Sequence, residues 1–151
     1  MTEPSPDTPF IDRRLVLWRD CDPAQIVYTP RFLDFVAEAV EGWFRHVFGV
    51  DWYGFRESRK VGIPAVHTSL DFAAPVHSGD ELSLTVLIDE VGRSSLPFRV
   101  IGRLNDREAF RGVWIISTLD ATDNRPISIP DDVRDIIRRY QQACLEAGLA
   151  D

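Results

Sequence analysis

Apolar side chains recur at helical spacing between residues 32 and 47, where Phe32, Val36, Ala39, Val40, Trp43, Phe44 and Val47 share one face. The pattern predicts a long amphipathic helix. Thr29 is its expected N-cap, Pro30 suits the first helical position, Tyr28 and Leu33 can staple across the start, and Gly49 supplies the stop. Another face carries Asp34, Glu38, Glu41 and Arg45, a polar stripe suited to water and closed by a Glu41–Arg45 pair.

After this helix the chain turns to alternation with period two. Residues 65–72 put Val66, Thr68, Leu70 and Phe72 on one face and His67, Ser69 and Asp71 on the other. Leu82, Leu84, Val86 and Ile88 repeat the pattern, and Leu96, Phe98 and Val100 open a further run. Residues 109–119 are apolar on both faces around Trp114, as in a strand covered on both sides, and Asn105 and Asp106 supply the turn before them. Residues 13–19 read as a first strand, stopped by the polar cluster at Asp20. Residues 50–60 form an aromatic connector with room for a short helix, and residues 1–9 are expected to lack fixed structure. Val133, Ile136, Ile137, Tyr140 and Cys144 mark a terminal helix, with Asp131 and Asp132 at its start and Arg138 and Arg139 later, as the helix dipole favours. This order predicts an α+β fold, an antiparallel sheet packed on a helix. Open sheet edges and the doubly apolar strand point to self-association.

Composition narrows the picture. A chain of 151 residues with 44% hydrophobic content supports one core and one domain. The formal charge of -7 argues against nucleic acid or an anionic membrane as partner. No apolar run approaches the roughly 20 residues of a membrane span, and the start lacks the regions of a signal peptide. A soluble, cytoplasmic protein is expected. Cys21 and Cys144 lie far apart in sequence and offer no metal-ligand spacing, so both are expected as free thiols.

The chemistry concentrates at Asp20-Cys21-Asp22-Pro23-Ala24-Gln25-Ile26-Val27-Tyr28-Thr29-Pro30, a loop that places a carboxylate just before the helix start. Unpaired amides and a partial positive charge there can hold an oxyanion, and Asp22 can act as nucleophile or base. Pro30 has no N–H, so the donor falls to Thr29 or a neighbour. On residue type alone, Asp20 and Asp22 also fit ordinary Asx turns before Pro23.

The wider string resembles the 4-hydroxybenzoyl-CoA thioesterase branch of the hotdog-fold thioesterases. The resemblance sits in Asp20-Cys21-Asp22-Pro23-Ala24, in Ile26-Val27 and Pro30, in Gly62-Ile63-Pro64 and in residues 75–80, and extends more loosely over residues 15–119. It implies a hotdog fold, in which about five antiparallel strands wrap a long central helix with a C-terminal helix added. It also implies hydrolysis of an aromatic or other compact acyl-CoA, with Asp22 as the catalytic carboxylate and the Thr29 amide as oxyanion donor. No cofactor or metal is implied, since coenzyme A belongs to the substrate, and the site would lie at the interface of a homodimer or homotetramer. Two departures stand out. Gln25 replaces a usual glycine, and Thr29 a usual aromatic. The basic run that meets the CoA phosphates in the family is reduced to Arg93, followed by Ser94 and Ser95, with Arg59, Lys60 and Arg103 as possible helpers.

Remaining candidates each have a bland alternative. Tyr28 and Gln25 flank the loop as substrate contacts. Glu38 and Glu41 fit acyl binding or water positioning, or a solvated stripe. His67 fits a shared site, or a packed interface histidine. Trp52, Tyr53 and Phe55 fit the lining of an acyl pocket, or simple packing. A non-catalytic acyl-CoA-binding hotdog domain, an enoyl-CoA hydratase-like enzyme and a carrier-protein thioesterase are the competing functions.

Overall fold

The structure is a computed structural model that describes residues 2–150. The periodic segment is α1, Thr29–Phe48, which buries all seven expected apolar residues together with Phe35. Five strands form one antiparallel sheet: β1 (Ile11–Leu15), β3 (Ala65–Phe72), β4 (Glu81–Ile88), β5 (Ser95–Leu104) and β6 (Arg107–Ser117), in the order β1-β4-β5-β6-β3. Between α1 and β3 lie α2 (Trp52–Arg59) and β2 (Val61–Gly62), which pairs with β7 (Leu119–Asp120). The C-terminal helix, α3, spans Asp131–Glu146.

α1 lies across one face of the sheet because its apolar face meets strand residues of the same kind. Trp43 packs edge-on against Phe98 and Tyr140, and Phe32 packs at a tilt against Phe110. Each fully buried aromatic of this type contributes about 2–3 kcal/mol. The closest approach is at Gly112, where a Cβ would stand 2.5 Å from Val36 Cγ2. Any side chain there would push the helix off the sheet.

Several details depart from the sequence pattern. The first strand is Ile11–Leu15, not residues 13–19, because its ladder with β4 ends at Leu15↔Glu81. Beyond it the Asp20 carboxylate accepts the Leu17 amide at 2.9 Å and folds Trp18–Asp20 into a 3-10 turn. The N-cap of α1 is Tyr28, with no side-chain cap, and Thr29 is the first helical residue. The staple positions therefore shift to Val27 and Phe32, both buried, while Tyr28 is exposed. Arg45 pairs with Asp51, which caps α2 through the Gly54 amide, and not with Glu41. Residues 2–9 are docked: Thr2 and Ser5 amides donate to the Gly49 and His46 carbonyls, His46 Nε2 donates to the Thr8 carbonyl, and Asp7 pairs with Arg139. The Thr2 and Ser5 amides satisfy carbonyls left over at the end of α1, a role that composition alone does not reveal.

Among the described residues β3 pairs with β6 on one side and with no strand on the other. It is an eight-residue edge with Val66 61% and Phe72 51% exposed. No helix among the described residues is long and apolar enough to cross a membrane.

Candidate active site

The loop between β1 and α1 is closed by its own backbone. Gln25 N donates to Asp22 O at 2.8 Å, Asp22 N to Ile26 O at 3.0 Å, and Tyr28 N to Asp20 O at 2.9 Å. A second set of bonds fixes it to the segment after β3: Val27 N donates to Val76 O at 2.8 Å, and Ile26 bridges His77. Residues 75–80 thus form the wall against which the loop is seated. Gln25 takes a left-handed backbone, φ 68, the conformation that glycine adopts without steric cost. That is the physical reason for a glycine preference at this position.

The two aspartates divide the work of the loop. Asp20 is buried, and its carboxylate accepts Leu17 N and, at 2.8 Å, Arg31 Nε from the first turn of α1. Burial by itself would raise the Asp20 pKa, but the Leu17 amide and the Arg31 guanidinium outweigh it and hold the carboxyl below its ordinary value. Arg31 also reaches Asp34, and Arg14 bonds Glu38 and Asp12, so a chain of ion pairs runs beside the helix start. Asp22, half-buried, makes an Asx turn: its Oδ1 accepts Ala24 N at 2.8 Å. Its other oxygen takes part in none of the loop's hydrogen bonds.

The Thr29 amide, first in α1, meets no acceptor among the described residues, whereas Arg31 N is already bonded to Tyr28 O at 2.8 Å. Thr29 borders an apolar hollow of about 310 Å3 lined also by Ile26, Val27, Phe32, Phe72 and Val76. On the other side of the loop Trp18, Cys21, Gln25 and His77 line a second hollow of about 390 Å3. The structure therefore brings Asp22, Gln25, Tyr28 and Thr29 together on one short loop at one end of the sheet.

Other candidates lie elsewhere. Glu38 is engaged by Arg14, and it and Glu41 sit roughly 13 and 18 Å along the axis from Thr29 at 1.5 Å per residue. His67 is exposed and pairs with Ile115, on the strand face opposite the one that carries Leu70 and Phe72. Arg93 and Ser94 lie in the β4–β5 turn at the far end of the sheet and Ser95 opens β5: Arg93 Nε donates to Ser128 Oγ at 2.9 Å, and Ser94 O accepts Thr118 N. Arg59 is paired with Asp132. Within one chain none of these joins Asp22. The anchoring pair Asp20–Arg31 went unnoticed in the sequence, where an acid and a base eleven positions apart carry no periodic signal.

A sheet curled about one long helix, with an acidic loop seated at the helix start, defines a hotdog-fold protein. The chain belongs to the thioesterase-like superfamily, whose model matches residues 16–137. A thioesterase-superfamily structure from Jannaschia sp. CCS1 superposes with a TM-score of 0.80 at 31% identity, covering 91% of this chain and 96% of that one. A 1,4-dihydroxy-2-naphthoyl-CoA thioesterase from Synechocystis shares the fold with a TM-score of 0.76 at 23% identity, covering 86% and 96%. In sequence, the 1,4-dihydroxy-2-naphthoyl-CoA hydrolase of Trichodesmium erythraeum is 32% identical over 78 residues, 52% of this chain and 56% of that protein. The chain thus matches little more than half the length of that relative.

Proposed function

We propose that the protein hydrolyses the thioester of an acyl-CoA whose acyl group is aromatic or otherwise compact, with Asp22 as the reacting carboxylate. The observation that carries this reading is that the loop holding Asp22 runs directly into the unbonded Thr29 amide, which borders an apolar hollow. Asp22 either removes a proton from a water that attacks the thioester carbonyl, or attacks the carbonyl itself to give a mixed anhydride that a water then hydrolyses. The negative charge that develops on the carbonyl oxygen is held by the Thr29 amide and the positive end of α1. The C–S bond breaks with coenzyme A leaving as the thiolate, which takes up the proton released by the water, and the acyl group leaves as the free acid. A donor of this type contributes about 10²–10³ in rate.

The apolar lining by Ile26, Phe32 and Phe72 suits a flat acyl group, and the naphthoyl-CoA hydrolase relative supports the same class. Gln25 and Tyr28 stand on the loop as contacts for the pantetheine arm. We further infer that the active form is a homodimer joined along β3, whose eight residues otherwise leave backbone groups unpaired. The reading includes a cytoplasmic setting, in keeping with two unpaired cysteines.

The test is thiol release from a panel of aromatic and aliphatic acyl-CoA esters. Release with preference for the aromatic members supports the proposal. Tight binding of the same esters without release would make the protein an acyl-CoA-binding domain instead.

A further inference from the structure

We infer that coenzyme A enters along the Trp18 side of the loop, with its adenine stacked on the Trp18 ring and its phosphates met by Arg19 and Arg13. The inference rests on the acyl-CoA reading above and adds to it a nucleotide site built within one chain.

The loop that carries Asp22 has a hollow on each side. The apolar one at Thr29, Phe32 and Phe72 takes the acyl group, which leaves the other, about 390 Å3 and lined by Trp18, Cys21, Gln25, His77 and Ser78, for the rest of the substrate. The pantetheine arm is a chain of amides, and Gln25, His77 and Ser78 all offer it hydrogen-bonding groups. Gln25 also keeps a left-handed backbone, φ 68, where glycine would be unstrained, and strain of that kind gathers at ligand-binding positions.

Whatever the arm carries at its far end emerges beside Trp18. This ring is 83% exposed, the most open of the large apolar side chains among the described residues, and Leu15 and Leu17 extend it into an apolar shelf. An open patch of this kind marks a binding surface. The shelf is fixed before any ligand arrives: Leu17 N donates to Asp20 Oδ2 and Cys21 N to Trp18 O, both at 2.9 Å, and Asp20 is itself held by Arg31.

Charge decides which ligand fits the shelf. Arg14 and Arg31 are paired with carboxylates, whereas Arg19, next to the ring, and Arg13, at most about 18 Å of extended chain before it, form no ion pair among the described residues. Arg13 borders a polar hollow of about 320 Å3 together with Ser83, Asn105 and Glu81. An aromatic face flanked by unpaired guanidinium groups matches a purine base joined to phosphates, which is the free end of coenzyme A. Basic groups elsewhere are engaged: Arg59 with Asp132, Lys60 with Glu57, and Arg93 with Ser128 at the far end of the sheet. The formal charge of -7 speaks against an anionic bilayer on the same patch.

The test uses binding, so it does not depend on hydrolysis. The probes are S-phenacyl thioethers of coenzyme A and of pantetheine, which share the arm and the aryl group and differ only in the nucleotide and its phosphates. Calorimetry reads both on wild type, Trp18→Ala, Trp18→Phe and the double variant Arg13→Gln/Arg19→Gln, each verified as folded by circular dichroism. Wild type should bind the CoA probe more tightly than the pantetheine probe. Trp18→Ala should weaken the CoA probe about tenfold and leave the pantetheine probe unchanged, with Trp18→Phe keeping most of the affinity. The double variant should also weaken the CoA probe and flatten its dependence on salt. Equal binding of the CoA probe by wild type and Trp18→Ala, a loss that both probes share, or a double variant that binds the CoA probe as wild type does would each overturn the inference. Absence of thiol release from wild type with the binding pattern intact would remove the hydrolytic reading and leave the nucleotide site standing.

Discussion

Asp20 and Arg31 clasp the loop that carries Asp22: the guanidinium Nε donates to Asp20 Oδ1 at 2.8 Å, joining the end of the 3-10 turn to the first turn of α1. Because Asp20 O also accepts Tyr28 N, one residue fixes both the loop and the helix start. Position of the reacting carboxylate and stability of the fold are therefore tied to the same ion pair.

Asp20→Ala should cost about 2–3 kcal/mol, since it leaves the Leu17 amide and a partly buried guanidinium without their acceptor. The Asp20 carboxyl is held below its ordinary pKa, so its contribution is complete above the unfolded-state value and disappears as pH falls through the folded one. Urea unfolding at neutral and acid pH checks both points: the gap between wild type and variant should narrow in acid.

Gly112→Ala should destabilise by about 1–3 kcal/mol, because the added methyl stands against Val36 Cγ2 where α1 crosses the sheet. Val36→Ala opens space at the same point. Chemical denaturation of the double variant should show a smaller loss than the two single losses together.

Gln25→Gly relieves a left-handed backbone at a non-glycine residue. It should hold stability level or raise it by up to about 1 kcal/mol, strain relief being offset by the entropy of glycine in the unfolded chain. A shift in thermal midpoint reads the balance, and acyl selectivity measured on the same variant tells whether the Gln25 side chain also touches substrate.

Ser69→Glu places like charges beside the proposed two-fold axis on β3. Light scattering should show the variant as monomers with the circular dichroism of the wild type, and its thiol release should fall with its assembly. A variant that stays dimeric would move the interface away from β3.

Much of this architecture was legible in the residues. The seven apolar positions of α1 are buried as their spacing predicts, and Asn105 takes the left-handed turn conformation its type allows. The edges of elements were harder. Residues 16–19 look as strand-like as residues 11–15, and only the length of the β4 ladder and the Leu17–Asp20 bond end the strand. Likewise residues 2–9 read as solvated, yet they bind carbonyls that exist only once α1 has formed. For the site, the loop 20–30 announced itself through its motif, whereas the wall at Val76 and His77 is supplied by a segment some fifty residues away in the chain. Periodicity reports which face a residue takes, and says nothing about which distant residue it meets. Glu38, a candidate for acyl binding, and His67, a candidate for a site shared between subunits, both lie apart from the loop within one chain.

The most direct test of the central claim is thiol release from an aromatic acyl-CoA by wild type and Asp22→Asn at equal concentration, with folding verified by thermal melting. The Asp22 side chain is tied to one amide of its own turn, so the variant should melt with the wild type. Its kcat should fall by about 10²–10⁴. A folded Asp22→Asn variant that keeps the wild-type kcat would contradict the assignment of Asp22 as the reacting carboxylate.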